Sequence, residues 1–153
     1  MKITFERATP ADVETLVKVQ VEAFNNDSRI YPNVRIGGPP GYESPDRMLQ
    51  KMREEDYYKI LADGQIVGGM GIFNLGQGHF HLDVIYIDPA YHSLGIGTEA
   101  MEFIERTYAA KKWTLNTPDY ATRNHHFYEK FGYVMVGKMA LENIILRDYE
   151  KYL

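Results

Sequence analysis

Asp83-Val-Ile-Tyr-Ile-Asp-Pro-Ala-Tyr-His-Ser-Leu-Gly-Ile-Gly-Thr-Glu-Ala-Met-Glu-Phe-Ile-Glu105 reads as strand, turn, glycine pair and helix. Val84 to Ile87 is a short apolar, β-branched run, and Asp88-Pro89 stops it because proline cannot donate to a sheet ladder. Beyond the glycines, Ile96, Ala100, Phe103, Ile104 and Thr107 recur at three and four, the period of a helix face, and Glu99, Glu102 and Glu105 fall on the other side. Gly95 and Gly97 therefore stand at the mouth of a helix that follows a buried strand. Amides at such a mouth lack partners inside the helix. With the helix dipole they form an anion site, and glycine lets a phosphate approach the backbone. The stretch predicts a phosphate site, most simply the diphosphate of a cofactor.

Working outward, Phe80 to Ile87 is preceded by strands at Tyr57 to Ala62 and Gln65 to Leu75, joined at Asp63-Gly64 and Gln77-Gly78 into an antiparallel meander. Gly68, Gly69 and Gly71 inside the middle strand predict a bulge or a close backbone approach. Upstream, Ile3 to Ala8 alternates as a first strand, and Thr9-Pro10-Ala11-Asp12 starts a helix whose face is Val13, Leu16, Val17, Gln20 and Phe24. Asn25 to Ser44, with its prolines and glycines, predicts a loop, and Asp46 to Glu55 a short helix. Downstream come a helix from Gly95 to Lys111, a strand at Trp113 to Asn116, and a helix from Ala121 to Phe131 closed by Gly132. Two strands follow, Tyr133 to Ala140 and Leu141 to Leu146; the tail Arg147 to Leu153 stays open between assignments. The order β-α-α-β-β-β-α-β-α-β-β predicts an α+β domain, a mixed and mostly antiparallel sheet flanked by helices, spanning residues 1–153 as one unit.

Bulk properties remove several function classes. With 44% hydrophobic and 25% charged residues the chain suits a globular protein. It has no cysteine, which excludes disulfides, zinc–thiolate sites and a cysteine nucleophile. Met1 to Pro10 has no apolar signal region, and no run approaches the roughly 18 residues of a membrane span, so a cytoplasmic protein without membrane partners is expected. A net charge of -4 gives no reason to expect nucleic acid. Twelve tyrosines supply rings and hydroxyls for a binding site.

The element order and glycine pair together resemble the GCN5-related N-acetyltransferase (GNAT) family. Its acyl-CoA signature, Gln/Arg-x-x-Gly-x-Gly/Ala, corresponds to His92-Ser93-Leu94-Gly95-Ile96-Gly97 after Ile87-Asp88-Pro89, with His92 where the family prefers Gln or Arg. A second feature, an Asn with a Tyr four residues on and a Phe-Gly-Tyr ending, corresponds to Asn124, Tyr128 and Phe131-Gly132-Tyr133. The resemblance implies acetyl-CoA as cosubstrate, its diphosphate held at His92, Ser93, Leu94, Gly95, Ile96, Gly97 and Thr98. Its pantetheine arm would pair with the peptide groups of Ile85, Tyr86 and Ile87, which requires the fourth and fifth strands to part. It implies Asn124 on the cofactor side and Tyr128 as the general acid for the leaving thiolate. It also implies a possible homodimer through the last strands.

Asp83, a carboxylate in an apolar strand, is the candidate general base, directly or through water, and His81 is its rival. Strand alternation places His79, His81, Asp83, Ile85 and Ile87 on one face and Phe80, Leu82, Val84 and Tyr86 on the other. His79-x-His81-x-Asp83 has the form of a metal triplet, but its positions converge poorly without a further ligand, and no metal is expected. His125 and His126 read as surface residues. Tyr31, Arg35 and Tyr42, in the long loop, are candidate substrate contacts together with His81. The activity implied is direct transfer of an acetyl group to a primary amine of a small molecule or peptide. The alternatives are a non-catalytic acyl-CoA-binding regulatory module and a metal-dependent hydrolase or isomerase.

Overall fold

The computed structural model describes all residues from Met1 to Leu153. The chain opens with strand β1 (Ile3–Arg7), and at the following turn the Asp12 carboxylate accepts from the Thr9 amide at 2.8 Å. Helix α1 (Val13–Asn25) turns Val13, Leu16 and Val19 inward. A single helical turn, α2 (Asp27–Ile30), lies within the expected loop. Ser44 then caps α3 (Pro45–Glu54), its side chain accepting from the Arg47 amide, with proline in the first turn where its missing donor costs nothing. The meander follows as β2 (Asp56–Ala62), β3 (Gln65–Asn74) and β4 (His79–Ile87). It leads into α4 (Ile96–Thr107), β5 (Lys112–Pro118), α5 (Thr122–Lys130), β6 (Val134–Ala140) and β7 (Ile145–Tyr152).

These strands make one open sheet in the order β1-β2-β3-β4-β5-β7-β6, with β4 and β5 its only parallel neighbours. The predicted mixed, mostly antiparallel α+β architecture is the one observed. One face buries Leu16, Met48, Tyr57 and Tyr86 under α1 and α3. The other buries Ile60, Met70, Trp113 and Leu115 under Ile96, Met101 and Ile104 of α4 and Tyr128 of α5. Each such fully buried aliphatic side chain contributes roughly 1.5–3 kcal/mol.

The C-terminus differs from its sequence pattern. Leu141 to Ile144 forms the turn, closed by the Leu141 amide on the Ile144 carbonyl at 2.8 Å, and the strand runs on from Ile145 to Tyr152. Its charges hid it, because Arg147, Glu150 and Lys151 are poor strand formers in isolation. Each has a partner in the fold: Arg147 with Asp119, Glu150 with Lys112, and Lys151 with Glu105. Tyr149 between them is fully buried. Helix α4 likewise stops at Thr107, short of Lys111, because the Lys111 and Lys112 amides turn onto the Gly78 carbonyl to start β5.

The glycines of β3 answer to two physical demands. The β2–β3 and β3–β4 registers shift between Ile60 and Leu61 and between Gly71 and Ile72, which are β-bulges. A Cβ on Gly69 would overlap the Tyr86 hydroxyl, and one on Gly71 the Glu55 carboxylate. Tyr86 is buried and its hydroxyl lies 2.8 Å from that of Tyr57. Gly69→Ala is therefore expected to cost about 1–3 kcal/mol through overpacking, read as a lower urea midpoint. The ring carbon that carries the hydroxyl would also lie only 2.6 Å from that Cβ, so a second change, Tyr86→Phe, is expected to recover little of the loss; full recovery in the double variant counts against this account.

The second bulge resets the faces of β4. Gly71 pairs with Val84 and Ile72 with Leu82, so Asp83 is the extra residue. Strict alternation fails there: Leu82 packs with Ile85 and Ile87 on the α4–α5 side, whereas Val84 and Tyr86 pack against α1 and α3. The predicted grouping of Ile85 and Ile87 with Asp83 is thus corrected, because a bulge advances the chain by one residue without advancing its partner. Pairing of β4 to β5 also ends at Leu82–Leu115, one residue before the bulge. The two strands part beyond it, and the far edge of Asp83–Ile87 carries no ladder partner.

Candidate active site

Where β4 ends, the Asp88 carboxylate accepts from the Ala90 amide at 2.9 Å and turns the chain toward α4. Ser93 and Gly95 then take left-handed conformations, φ 64° and 80°. The bend leaves the amides of Leu94 to Thr98 without a protein acceptor; the first amide bonded in this stretch is that of Glu99, on the Gly95 carbonyl. The two glycines serve different ends. Gly95 supplies the positive φ and faces open space, while a Cβ on Gly97 would lie 3.2 Å from the Phe127 ring. Free amides, an uncrowded loop and the positive end of a twelve-residue helix make a fitting cradle for a diphosphate.

The cradle opens into a cavity of about 450 Å³ between the parted end of β4 and helix α5. Ile85 to Ile87 form one wall, and Asn124, Phe127 and Tyr128 the other. Asn124 is set by its amide donating to the Thr117 hydroxyl at 3.2 Å. Tyr128 is 7% exposed, and its hydroxyl makes no hydrogen bond within the protein. Burial alone pushes that phenol well above its usual range, so it keeps its proton at neutral pH. Across the mouth, α2 approaches the start of α5: the Tyr120 hydroxyl donates to Asp27 at 2.7 Å, and the Arg123 amide donates to the Tyr31 hydroxyl at 3.3 Å.

The predicted residues divide. His92, Ser93, Gly95, Ile96, Gly97, Thr98, Asn124, Tyr128, Ile85, Tyr86, Ile87 and Tyr31 all line this cavity. Leu94 lies outside it and is 53% exposed. His92 turns back, its Nε2 2.9 Å from the Ile87 carbonyl oxygen, which occupies one backbone group expected to be open. Arg35 is an exposed loop residue away from the cavity, and Tyr42 is pinned elsewhere, its hydroxyl donating to Asn25 at 2.8 Å. His81 Nδ1 and His79 Nε2 both meet the Thr114 hydroxyl, at 2.7 and 2.8 Å. Burial lowers the His81 pKa. His125, expected at the surface, is buried at 5% exposure with its Nε2 2.9 Å from the Pro118 carbonyl oxygen.

Asp83 stands at the bulge, outside the cavity lining, and accepts from Lys51 at 2.8 Å. Beside it is Glu55, a residue the sequence did not single out. Glu55 is 5% exposed, and its carboxyl is pushed up to about 8 by burial and by the neighbouring Asp83 charge. One proton is therefore held between two carboxyls and one ammonium at neutral pH. The only hint in the chain was Gly71, the missing side chain that makes room for Glu55.

A sheet parted beside a helix-mouth amide cradle is an arrangement suited to a long ligand with a phosphate end. The sequence model described as the Acetyltransferase (GNAT) family matches residues 21–133, and the chain belongs to that family. YrkN of Bacillus subtilis (strain 168), described as uncharacterized, is 42% identical over 82 residues, 52% of this chain and 44% of that protein. This chain thus matches less than half of YrkN's length. The S-(2-succino)cysteine N-acetyltransferase of the same organism is 23% identical over 152 residues, covering 92% of this chain and 90% of its own. Among solved structures, the PaiA N-acetyltransferase from Thermoplasma acidophilum in complex with coenzyme A superposes with a TM-score of 0.75 at 17% identity over 100% of both chains. Ard1 from Thermoplasma volcanium gives 0.76 at 14% identity, covering 100% of this chain and 99% of the other. At such identities these structures share the fold. No helix is long and apolar enough to cross a membrane.

Proposed function

We propose that residues 1–153 act as one acetyl-CoA-dependent N-acetyltransferase domain, transferring an acetyl group directly to a primary amine of a small molecule or peptide. One observation carries the proposal: the unpartnered Tyr128 hydroxyl lies in the same cavity as the free amides at the mouth of α4. Acetyl-CoA, when bound, supplies the acyl group as an activated thioester. The amides of Leu94 to Thr98 hold its diphosphate, and the open edge of Ile85–Ile87 offers peptide groups to its amide-bearing arm, in the manner of an added strand. Tyr128 donates a proton to the sulfur as the carbon–sulfur bond breaks. Asp83, with Glu55 as its proton-sharing partner, takes the proton lost by the amine through water, since neither carboxyl lines the cavity. Holding two reactants in one cavity supplies much of the rate. The exposed Val134, Met135, Val136 and Met139 of edge strand β6 support pairing of two copies along that strand.

Incubation with acetyl-CoA and a panel of amines, followed by free-thiol release, tests this reading, with release that depends on the amine as the expected result. A second reading is favoured by the Lys51–Asp83 pair and by His92 on the Ile87 carbonyl, both of which occupy groups that catalysis or binding would use. It is a non-catalytic acyl-CoA-binding module, and calorimetric binding of acetyl-CoA without thiol release on any amine supports it over the first.

A further inference from the structure

Asp27, on α2, lines the cavity within electrostatic reach of His92 in the loop that precedes α4. Its carboxylate has one donor, the neutral Tyr120 hydroxyl at 2.7 Å, and no lysine or arginine within ion-pair distance. By contrast the partly buried Asp12, Asp83 and Asp119 each have a lysine or arginine partner. The charged and titratable groups around Asp27 are His92, Tyr31, Tyr120 and Arg123. His92 is engaged by the Ile87 carbonyl, and neither it nor Arg123 forms an ion pair with Asp27. Burial raises the Asp27 carboxyl above its usual range, the mark of an anion short of a cation. The Tyr31 ring, 5.2 Å from that of Tyr120 and itself part of the cavity lining, adds an aromatic wall beside the carboxylate, a setting that suits an ammonium group.

Position along α5 decides which ammonium. Tyr31 sits on the Arg123 amide, in the first turn of α5, whereas Tyr128 lies five residues further on, a rise of about 7.5 Å. A cation on Asp27 is therefore displaced from the reacting nitrogen, which must lie near Tyr128. We infer that the acceptor carries a second positively charged group besides the amine that is acetylated, and that the Asp27 carboxylate binds it. The acceptor class is then a diamine or another basic amine. The inference rests on acetyl transfer to an amine as the activity of this cavity.

The test compares kcat/KM with acetyl-CoA for diaminobutane and diaminohexane against butylamine and hexylamine, with glutamate as an anionic acceptor. A charge-assisted contact predicts a preference of about tenfold or more for a diamine over the monoamine of equal length. Asp27→Asn keeps an oxygen to accept from Tyr120, so it removes the charge and spares the contact. In that variant the diamine-to-monoamine ratio is expected to collapse toward one, and Asp27→Glu to recover part of it. Equal kcat/KM for diamines and monoamines, a preference for glutamate, or an unchanged ratio in Asp27→Asn each overturns the second-cation inference while leaving acetyl transfer standing. Absence of thiol release with every acceptor overturns both.

Discussion

Replacing Tyr128 by phenylalanine lowers kcat for acetyl transfer about a hundredfold or more, with little change in KM for acetyl-CoA, and leaves the protein as stable as before. The two halves of this expectation share one cause. The residue is buried, but its hydroxyl opens onto the cavity and bonds to no protein atom. Its removal takes away the only proton donor that α5 presents there, and general acid catalysis contributes on the order of 10²–10⁴-fold. No hydrogen bond of the fold is lost, and the hydroxyl is reached by water from the cavity, so the melting temperature holds. A structural role predicts the reverse pattern, a fall in Tm with turnover retained. Steady-state kinetics across pH alongside thermal melts separate the two, and full activity in Tyr128→Phe at every pH removes the acid assignment.

The second large effect concerns stability. Glu55 titrates near 4.5 when unfolded and is pushed up to about 8 in the folded protein, where it lies buried beside Asp83. The folded state thus binds more protons than the unfolded state between those values. Stability therefore falls as pH rises from about 4.5 to about 8, by up to roughly 1.4 kcal/mol per unit from this group, and levels off above. Glu55→Gln preserves the shape and removes the titration. Its urea unfolding free energy is expected to lose this decline and to exceed that of the native protein by roughly 4 kcal/mol at pH 8. The same pH slope in both proteins would place the proton elsewhere. The same carboxyl pair is the proposed proton acceptor for the amine, and its stability cost is consistent with a site held for chemistry.

The fold was legible because its signals are local. Alternation marked β1, period-3.6 spacing marked α1 and α4, and Asp63-Gly64 marked the β2–β3 hairpin. The strand at Ile145–Tyr152 was not legible over its full length, because tertiary ion pairs, to β5, to the loop after it and to α4, are invisible along the chain and offset the poor strand propensity of Arg147, Glu150 and Lys151. The candidate site shows the same division. Gly95 and Gly97 stood out by their place at the mouth of a helix, and Asn124 and Tyr128 by the family resemblance, their four-residue spacing placing both on one helix face. Glu55, Lys51 and Asp27 were not, because what sets them apart is what lies across space: a carboxylate at 2.8 Å from Lys51, a tyrosine hydroxyl at 2.7 Å from Asp27.

The stretch Asp83 to Glu105 by itself determined a strand, a turn and a helix mouth with free amides, because backbone sterics and hydrogen-bond bookkeeping act over a few residues. Tertiary structure alone decided what that mouth opens into. The extra residue at Asp83 swaps the faces of β4, and the strand leaves β5 one residue earlier. The resulting gap is closed by α5 on one side and approached by α2 on the other. A bulge depends on the register between two strands, and a register is a property of pairs of segments that no single segment encodes.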